Sequence, residues 1–217
     1  MKAMKRLFIL VLLLAGSILF PFKNAAAQTA AEFFNTQTGE VTWLGIDFTE
    51  VRLFGDMEVS GSDIKERYIP GINNVVVSEP EKYTISKSFR KTPLAQNLKY
   101  VMEANAYLDP DKIKTFSSND MNRMDEKMVQ QVVDRYKFKN EKGYGILFIA
   151  EGLNKSETTG YFWVTIVDMS NGKVLFTKRM GGKASGFGFR NYWARSVYEI
   201  LKDIDKKQYA AWKKSFS

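Results

Sequence analysis

Apolar positions recur along this chain with two periods, and the switches between them mark out its elements. Residues 41–48 (VTWLGIDF) alternate, with Leu44, Ile46 and Phe48 on one face and Val41, Trp43 and Gly45 on the other. Apolar residues on both faces predict an interior strand with cover on each side. Beyond Asp47 the pattern slips, placing Val51 and Leu53 on the Trp43 face, so a bulge or bend is expected near Thr49. A continuous apolar run at 145–150 reads as a buried strand. It opens a unit over residues 143–205 that reads strand, polar loop (153–160), strand, tight turn, strand, glycine-rich bend, helix. Residues 161–167 supply the second strand and Asn171-Gly172 the tight turn. Residues 173–180 supply a third strand whose growing polarity places it toward a sheet edge.

Elsewhere the period lengthens to that of a helix. Ile64, Tyr68, Ile72, Val75 and Val76 form one stripe, started by Ser60-Gly61-Ser62-Asp63 with Ser62 as candidate cap. Pro70-Gly71 inside the stripe predicts a kink or two short helices in line. Met121, Met124, Met128, Val129, Val132, Val133 and Tyr136 predict one helix over 119–136. Its methionines read as core, with an adaptable binding groove as the alternative. Residues 98–103 (LKYVME) read as a short strand, 83–91 as a further helical turn, and Asp109-Pro110-Asp111 as a turn. The closing helix carries Trp193, Val197, Ile200, Leu201 and Ile204 on one stripe. The order β-α-β-α-β-β-β-α predicts a single α+β, or mixed α/β, domain at 41–217. Its sheet is expected to be mixed, of about five strands, with helices packed on it.

Composition changes this picture mainly at the amino end. The chain has 217 residues, 45% apolar and 14% aromatic, enough for one domain with a real core. A basic start (Lys2, Lys5, Arg6), an apolar run at 7–20, Pro21 and Ala25-Ala26-Ala27 predict a signal peptide at 1–27, cleaved between Ala27 and Gln28. An uncleaved anchor is the alternative. Residues 28–40 then read as a flexible lead-in. The expected protein is exported, periplasmic or secreted, with no transmembrane segment in the mature chain. Removing the four basic residues of the first 27 lowers the net charge from +8 to +4, too small for a dedicated nucleic-acid binder. The chain has no Cys and no His. That excludes disulfides, a lipid-bearing Cys, Cys/His zinc sites, thiol nucleophiles and imidazole bases.

Candidate chemistry gathers at the bend after the third strand. Gly181, Gly182, Lys183, Ser185, Gly186, Gly188 and Arg190 outline a strand–bend–helix start of the kind that cradles anions with backbone N–H groups. Gly182, Lys183, Ser185, Gly186 and Arg190 are the candidate ligand-binding residues. Neither nucleotide motif is complete, since Asn191 stands where a third glycine belongs. The competing reading is packing, with the glycines letting Phe187 and Phe189 tuck under the sheet edge. Tyr192, Tyr209 and Trp212, beside the terminal lysines, are a candidate interaction surface, while Tyr209 and Trp212 also read as docking back on the body. Three acid pairs, Asp47/Glu50, Asp109/Asp111 and Asp203/Asp205, offer metal or acid–base chemistry or, more simply, caps and turns. No catalytic residue, metal or cofactor is assigned.

The hairpin in VDMSNGKVLFTKR, the helix after the bend and the element order resemble exported domains such as the TolB amino-terminal domain and the CsgG-like group. The closing GGKASGFGFRNYWARSVYEIL resembles uncharacterised secreted proteins of Bacteroidota. The resemblance implies an envelope-located interaction domain without catalytic residues. The expected function is therefore a non-enzymatic envelope or secreted interaction module that meets an envelope protein or cell-wall component through a sheet edge or the glycine-rich face. The alternatives are a binder of small anions, nucleotide-like ones among them, at the bend, and a carboxylate-dependent hydrolase centred on Asp47.

Overall fold

The protein is seen in a computed structural model that describes residues 28–138 and 141–216. The expected signal peptide and Ala27 lie outside the described residues. The sheet is built around β5 (Tyr144–Asn154), every residue of which is buried. Two strands lie end to end along one edge of β5. β1 (Val41–Asp47) pairs with residues 144–149 and β2 (Arg52–Phe54) with residues 152–154, both parallel. β3 (Ala95–Gln96) adds parallel to β1, and β4 (Lys114–Thr115) parallel to β2. On the other edge β6 (Thr159–Asp168) and β7 (Lys173–Lys183) follow as antiparallel hairpins. The result is a single α+β domain whose sheet has seven strands in five ranks, two of the ranks being split in two.

Helices cover both faces. One layer holds α1 (Ala30–Asn35), α2 (Gly61–Asp63), α3 (Ile69–Ser78), α4 (Ile85–Phe89), α7 (Phe189–Asp203) and α8 (Tyr209–Ser215). It closes the larger core around Trp43, Phe48, Phe148, Phe162 and Trp193. The other layer, α5 (Lys99–Ala106) and α6 (Glu126–Val133), closes a smaller core around Leu44, Leu147, Ile149 and Trp163. A sheet with apolar residues on both faces needs both covers, which is why β1 and β5 read as near-continuous apolar runs.

The structure departs from the expected elements at points with identifiable causes. The faces of β1 are exchanged, because the register shifts between Trp43 and Gly45, where Gly45 takes φ +101°. Leu44 is the extra residue, so it points into the smaller core while Trp43, Ile46 and Phe48 share the larger one. The bend expected near Thr49 is also present, as the break between β1 and β2. Residues 99–106 form a helix, not a strand. Asn97 accepts the Lys99 N–H at 3.2 Å, and Val101, Asn105 and Leu108 are buried at helical spacing. The alternation of Leu98, Tyr100 and Met102 was too short to separate the two periods.

The helix expected over 119–136 is interrupted. A 3₁₀ turn (Ser118–Asn122) precedes α6, whose cap is Asp125, accepting the Met128 N–H at 2.8 Å. Here the backbone is taken by distant partners, Met124 N–H between the two by Glu151 at 2.6 Å and the Met121 carbonyl within the turn by Arg179. Ser60, not Ser62, caps the first long helical stretch, accepting the Asp63 N–H at 3.0 Å. Pro70 is absorbed without a break, because a π turn (Ile64–Tyr68) widens the helix just before it. The expected flexible lead-in is instead α1, with Phe33 and Phe34 fully buried against Phe89, Tyr144, Tyr209 and Trp212.

Candidate functional site

The glycine-rich bend is smaller than its sequence outline. β7 continues through Gly181, Gly182 and Lys183, and the turn proper runs from residue 184 to 188. Gly182 is buried where α7 crosses the sheet, and a Cβ there would run into the Ser196 carbonyl oxygen. Lys183 reaches back to the preceding hairpin, donating to Glu157 O at 3.3 Å and Thr158 Oγ1 at 3.5 Å. Ser185 and Gly186 are exposed, and Arg190 lies over Gly71 of α3 with its Nε on Asn191. The five candidate ligand residues thus face different neighbours. The α7 amino end opens on a groove lined by two carboxylates, Asp56 and Glu58, against one ammonium, Lys155, a balance that does not favour an incoming anion. The aromatic tuck is half present. Phe189 packs on Tyr68 and Trp193, whereas Phe187 is 95% exposed.

Of the candidate surface aromatics, Tyr209 and Trp212 are buried. Tyr209 donates to Phe34 O at 3.1 Å and Trp212 packs on Phe34 and Phe176, which fixes α1 to the carboxyl end of the chain. Tyr192 is half-buried under the ammonium of Lys155, which sits 3.7 Å from its ring centre.

The acid pairs serve the fold. Asp47 is buried, and both of its oxygens are occupied. Oδ1 accepts the Thr49 N–H at 2.7 Å and the Thr49 hydroxyl at 2.6 Å, and Oδ2 accepts the Tyr136 hydroxyl. Burial raises the Asp47 carboxyl above its ordinary pKa, against the pull of the Thr49 and Tyr136 hydrogen bonds. Tyr136 is pushed well above the usual phenol range by burial and by Asp47. A buried carboxyl whose two oxygens already accept three hydrogen bonds from Thr49 and Tyr136 is not presented to a substrate, so the hydrolase reading is set aside. Asp109 caps the turn at Asp111, Asp203 accepts from Gln208, and Asp205 pairs with Lys87 and Arg90. Among the described residues no group of three or more acids is placed to hold a metal. No helix among them is long and apolar enough to cross a membrane.

Two surface features remain. The first is the end of the sheet where β2 and β5 finish and β6 begins, Phe54 lying opposite Asn154 and Asn154 opposite Thr159. Two shallow grooves there share Asp56, Glu58 and Lys155. Phe116, 88% exposed, lines one groove, and Phe187 sits between Gly186 and Gly188 of the other, with Met57 also exposed. The free side of β7 is a poorer docking element. Gln130 closes its first rung by accepting the Val174 N–H and donating to Gly172 O, each at 2.9 Å. Exposed Lys173, Lys178 and Lys183 and a bulge at Leu175 guard the rest.

The second feature is a cleft of about 710 Å³ between α5 and the segment after α6, with the break between β1 and β2 as its floor. Glu50 lies in the floor, paired with Arg135 at 2.7 Å and with Arg123 at 3.5 Å. Arg52, half-buried, also lines the cleft. Its one hydrogen bond is from Nη1 to Val51 O at 2.9 Å, and it makes no ion pair among the described residues. Sequence reasoning missed this place, since its residues come from three separate segments. It also missed Glu151, fully buried on a bulge of β5 and held by Arg179 at 2.6 Å. A lone acid inside the apolar run GYGILFIAEGLN was the available signal for that pair.

Fold and surface together define a small α+β domain with a split sheet rank, a polar cleft on one face and an aromatic-tipped end. Comparison with known protein families and with curated proteins finds no match to this chain.

Proposed function

We propose that this protein is a non-enzymatic interaction module that meets a protein partner through the sheet end marked by Phe116 and Phe187. The near-complete exposure of these two side chains, 88% and 95%, carries the reading. Scattered exposed apolar residues are ordinary. Two phenylalanines bordering adjoining grooves, with Met57 on the loop between, supply anchors of the kind that a partner's pockets bury. The charges around them have both signs, Lys155 beside Asp56 and Glu58, which suits a protein surface better than an anionic membrane. The expected export signal, and the resemblance to exported domains, support a partner in the cell envelope or outside the cell. The engagement of Asp47 and the lack of Cys and His support a role without catalysis.

The test is site-specific photo-crosslinking in cells making the full chain, with the photoreactive residue at position 116 or 187. One adduct of the same mass is expected from both positions. Phe187→Ser should weaken the adduct from position 116, and Phe116→Ser that from position 187, with melting temperature unchanged because both side chains are exposed. Adducts of unrelated masses, or none above background, would overturn the proposal.

A further inference from the structure

The cleft above the β1–β2 break has more positive charge on its floor than the protein itself uses. Arg52 and Arg135, with Arg123 behind them, surround the carboxylate of Glu50. The other two acids of the lining, Glu103 and Asp109, pair with Lys99 at 3.9 Å and Lys112 at 3.3 Å. Arg123 and Arg135 spend their charge on Glu50. Arg52 donates to one backbone carbonyl and makes no ion pair among the described residues, so Glu50, Asp120 and Asp109 hold it only through longer-range attraction. The Nε–H of Arg123 is buried without a partner. Lys137, exposed at the rim, also makes no ion pair among the described residues. A half-buried guanidinium keeps its charge and presents a planar fork of donors, so a carboxylate or phosphate can be held by two parallel hydrogen bonds.

The rest of the wall fits something larger than a bare ion. Tyr107 is 89% exposed at the mouth, and Ala104, Leu108 and the ring of Tyr100 line the side. The Tyr100 hydroxyl is already used on Glu141 at 2.8 Å, and its ring packs on Tyr136 and Phe138. It therefore offers a fixed apolar surface, while Tyr107 is free to lie over a bound ring. The volume lies within the ordinary range for small-molecule sites, about 300–1,000 Å³. We infer that the cleft binds a small organic anion, a ring bearing a carboxylate or a phosphate, with Arg52 as its main charged partner and Tyr107 as its cover. This site is separate from the Phe116–Phe187 end and from the glycine-rich bend.

The test is calorimetry and thermal shift on the whole protein with phenyl phosphate, benzoate, phenol and inorganic phosphate. At least one ring anion should bind saturably with a Kd of about 1 mM or tighter and raise the melting temperature, while phenol does not. Which of phenyl phosphate and benzoate binds better separates a phosphate from a carboxylate ligand. Arg52→Gln should weaken that binding by about tenfold or more, the loss expected for a charge-assisted bidentate contact. Tyr107→Ala, at an exposed position, should weaken the ring anion about three- to tenfold and leave inorganic phosphate unchanged. If Arg52→Gln does not fold, Tyr107→Ala and Lys137→Ala decide, each expected to weaken the ring anion. The inference fails if no ring anion binds more tightly than phenol, if binding survives these substitutions, or if Lys183→Ala abolishes it, which would move the site to the bend.

Discussion

Asn73 on α3 and Asn105 on α5 aim their side-chain amides at one atom, the carbonyl oxygen of Ile46, at 2.9 and 3.0 Å. Their own oxygens accept the Ile46 and Phe48 N–H groups at 2.8 and 2.6 Å. β3 reaches only as far as Trp43 along this edge, so the backbone of residues 46–48 would otherwise be buried without partners. Two asparagines from opposite helix layers stand in for the missing strand. Gly45 makes room for this, since a Cβ there would lie 2.8 Å from Asn73 Oδ1 and 2.7 Å from Val101.

Asn73→Leu and Asn105→Leu should each lower unfolding free energy by about 1–3 kcal/mol, because each leaves one buried N–H orphaned. The double variant should cost about 1 kcal/mol more than the sum of the singles. Only there does the Ile46 carbonyl lose both donors. Urea unfolding of the four proteins measures the coupling, and additive costs would show that the two amides do not share that carbonyl in solution.

Gly182 and Gly186 separate a packing role from a loop role within a few residues. A Cβ at Gly182 meets the backbone of α7 at Ser196, which yields only if the helix lifts. Gly182→Ala should therefore cost about 3 kcal/mol or more. Gly186 has φ +111° but open space around it, so Gly186→Ala should cost about 1–2 kcal/mol, from backbone strain alone. Thermal unfolding of the two variants orders them, and equal losses would contradict the tight α7 contact.

The parts legible in the sequence were those encoded locally. The apolar run at 145–150, Asn171-Gly172 and the stripe from Trp193 to Ile204 each carry their period or turn chemistry within a few residues, and each is found where expected. Strand β5 and the closing helix follow from them. What was lost depended on distant partners. Residues 123–125 leave the helical path where Glu151 takes the Met124 N–H and Arg179 the Met121 carbonyl. Phe33 and Phe34 sit in a polar stretch, and distant residues bury them, Phe89 and Tyr144 on Phe33 and Tyr209 and Trp212 on Phe34. The cleft had no local signature. Arg52, Tyr107 and Arg135 meet only because the β1 rank is broken and α5 and α6 flank the gap.

Lys91 is a buried ammonium that pairs with no acid among the described residues. Only 2% exposed, it donates to the carbonyls of Phe33 and Thr36 at the carboxyl end of α1 and lies over the Phe33 ring. Burial, with some help from Lys213, lowers its pKa to about 8. The unfolded chain, with the ordinary lysine value of 10.5, then holds the extra proton between these limits. Stability should rise with pH across that window, by up to about 1.4 kcal/mol per pH unit. Tyrosine ionisation opposes it above about pH 10, because burial holds several phenols, Tyr144 and Tyr209 among them, above their unfolded values. Urea unfolding between about pH 8 and 9.5 should show the rise in the native protein and not in Lys91→Met. Equal slopes in the two would mean that Lys91 titrates normally.

Asp47 and Tyr136 give the complementary case at acid pH. A carboxyl raised by burial binds its proton more tightly in the folded chain than in the unfolded one, so its contribution falls as pH rises above 3.8. Asp47→Asn keeps an acceptor for the Thr49 N–H, offers its amide to the Tyr136 oxygen and carries no charge. Its unfolding free energy at pH 7 should lie within about 1 kcal/mol of the native protein or above it, with a flatter dependence between about pH 4 and 7. Tyr136→Phe keeps the ring among Tyr100 and Phe138 but removes the donor to a buried carboxylate. It should cost about 1–3 kcal/mol at pH 7 and less as pH falls through the raised pKa of the folded carboxyl, where the acceptor loses its charge. If Asp47→Asn were instead the more damaging change at pH 7, an ionised Asp47 would be holding this corner together, and its charge would be needed there.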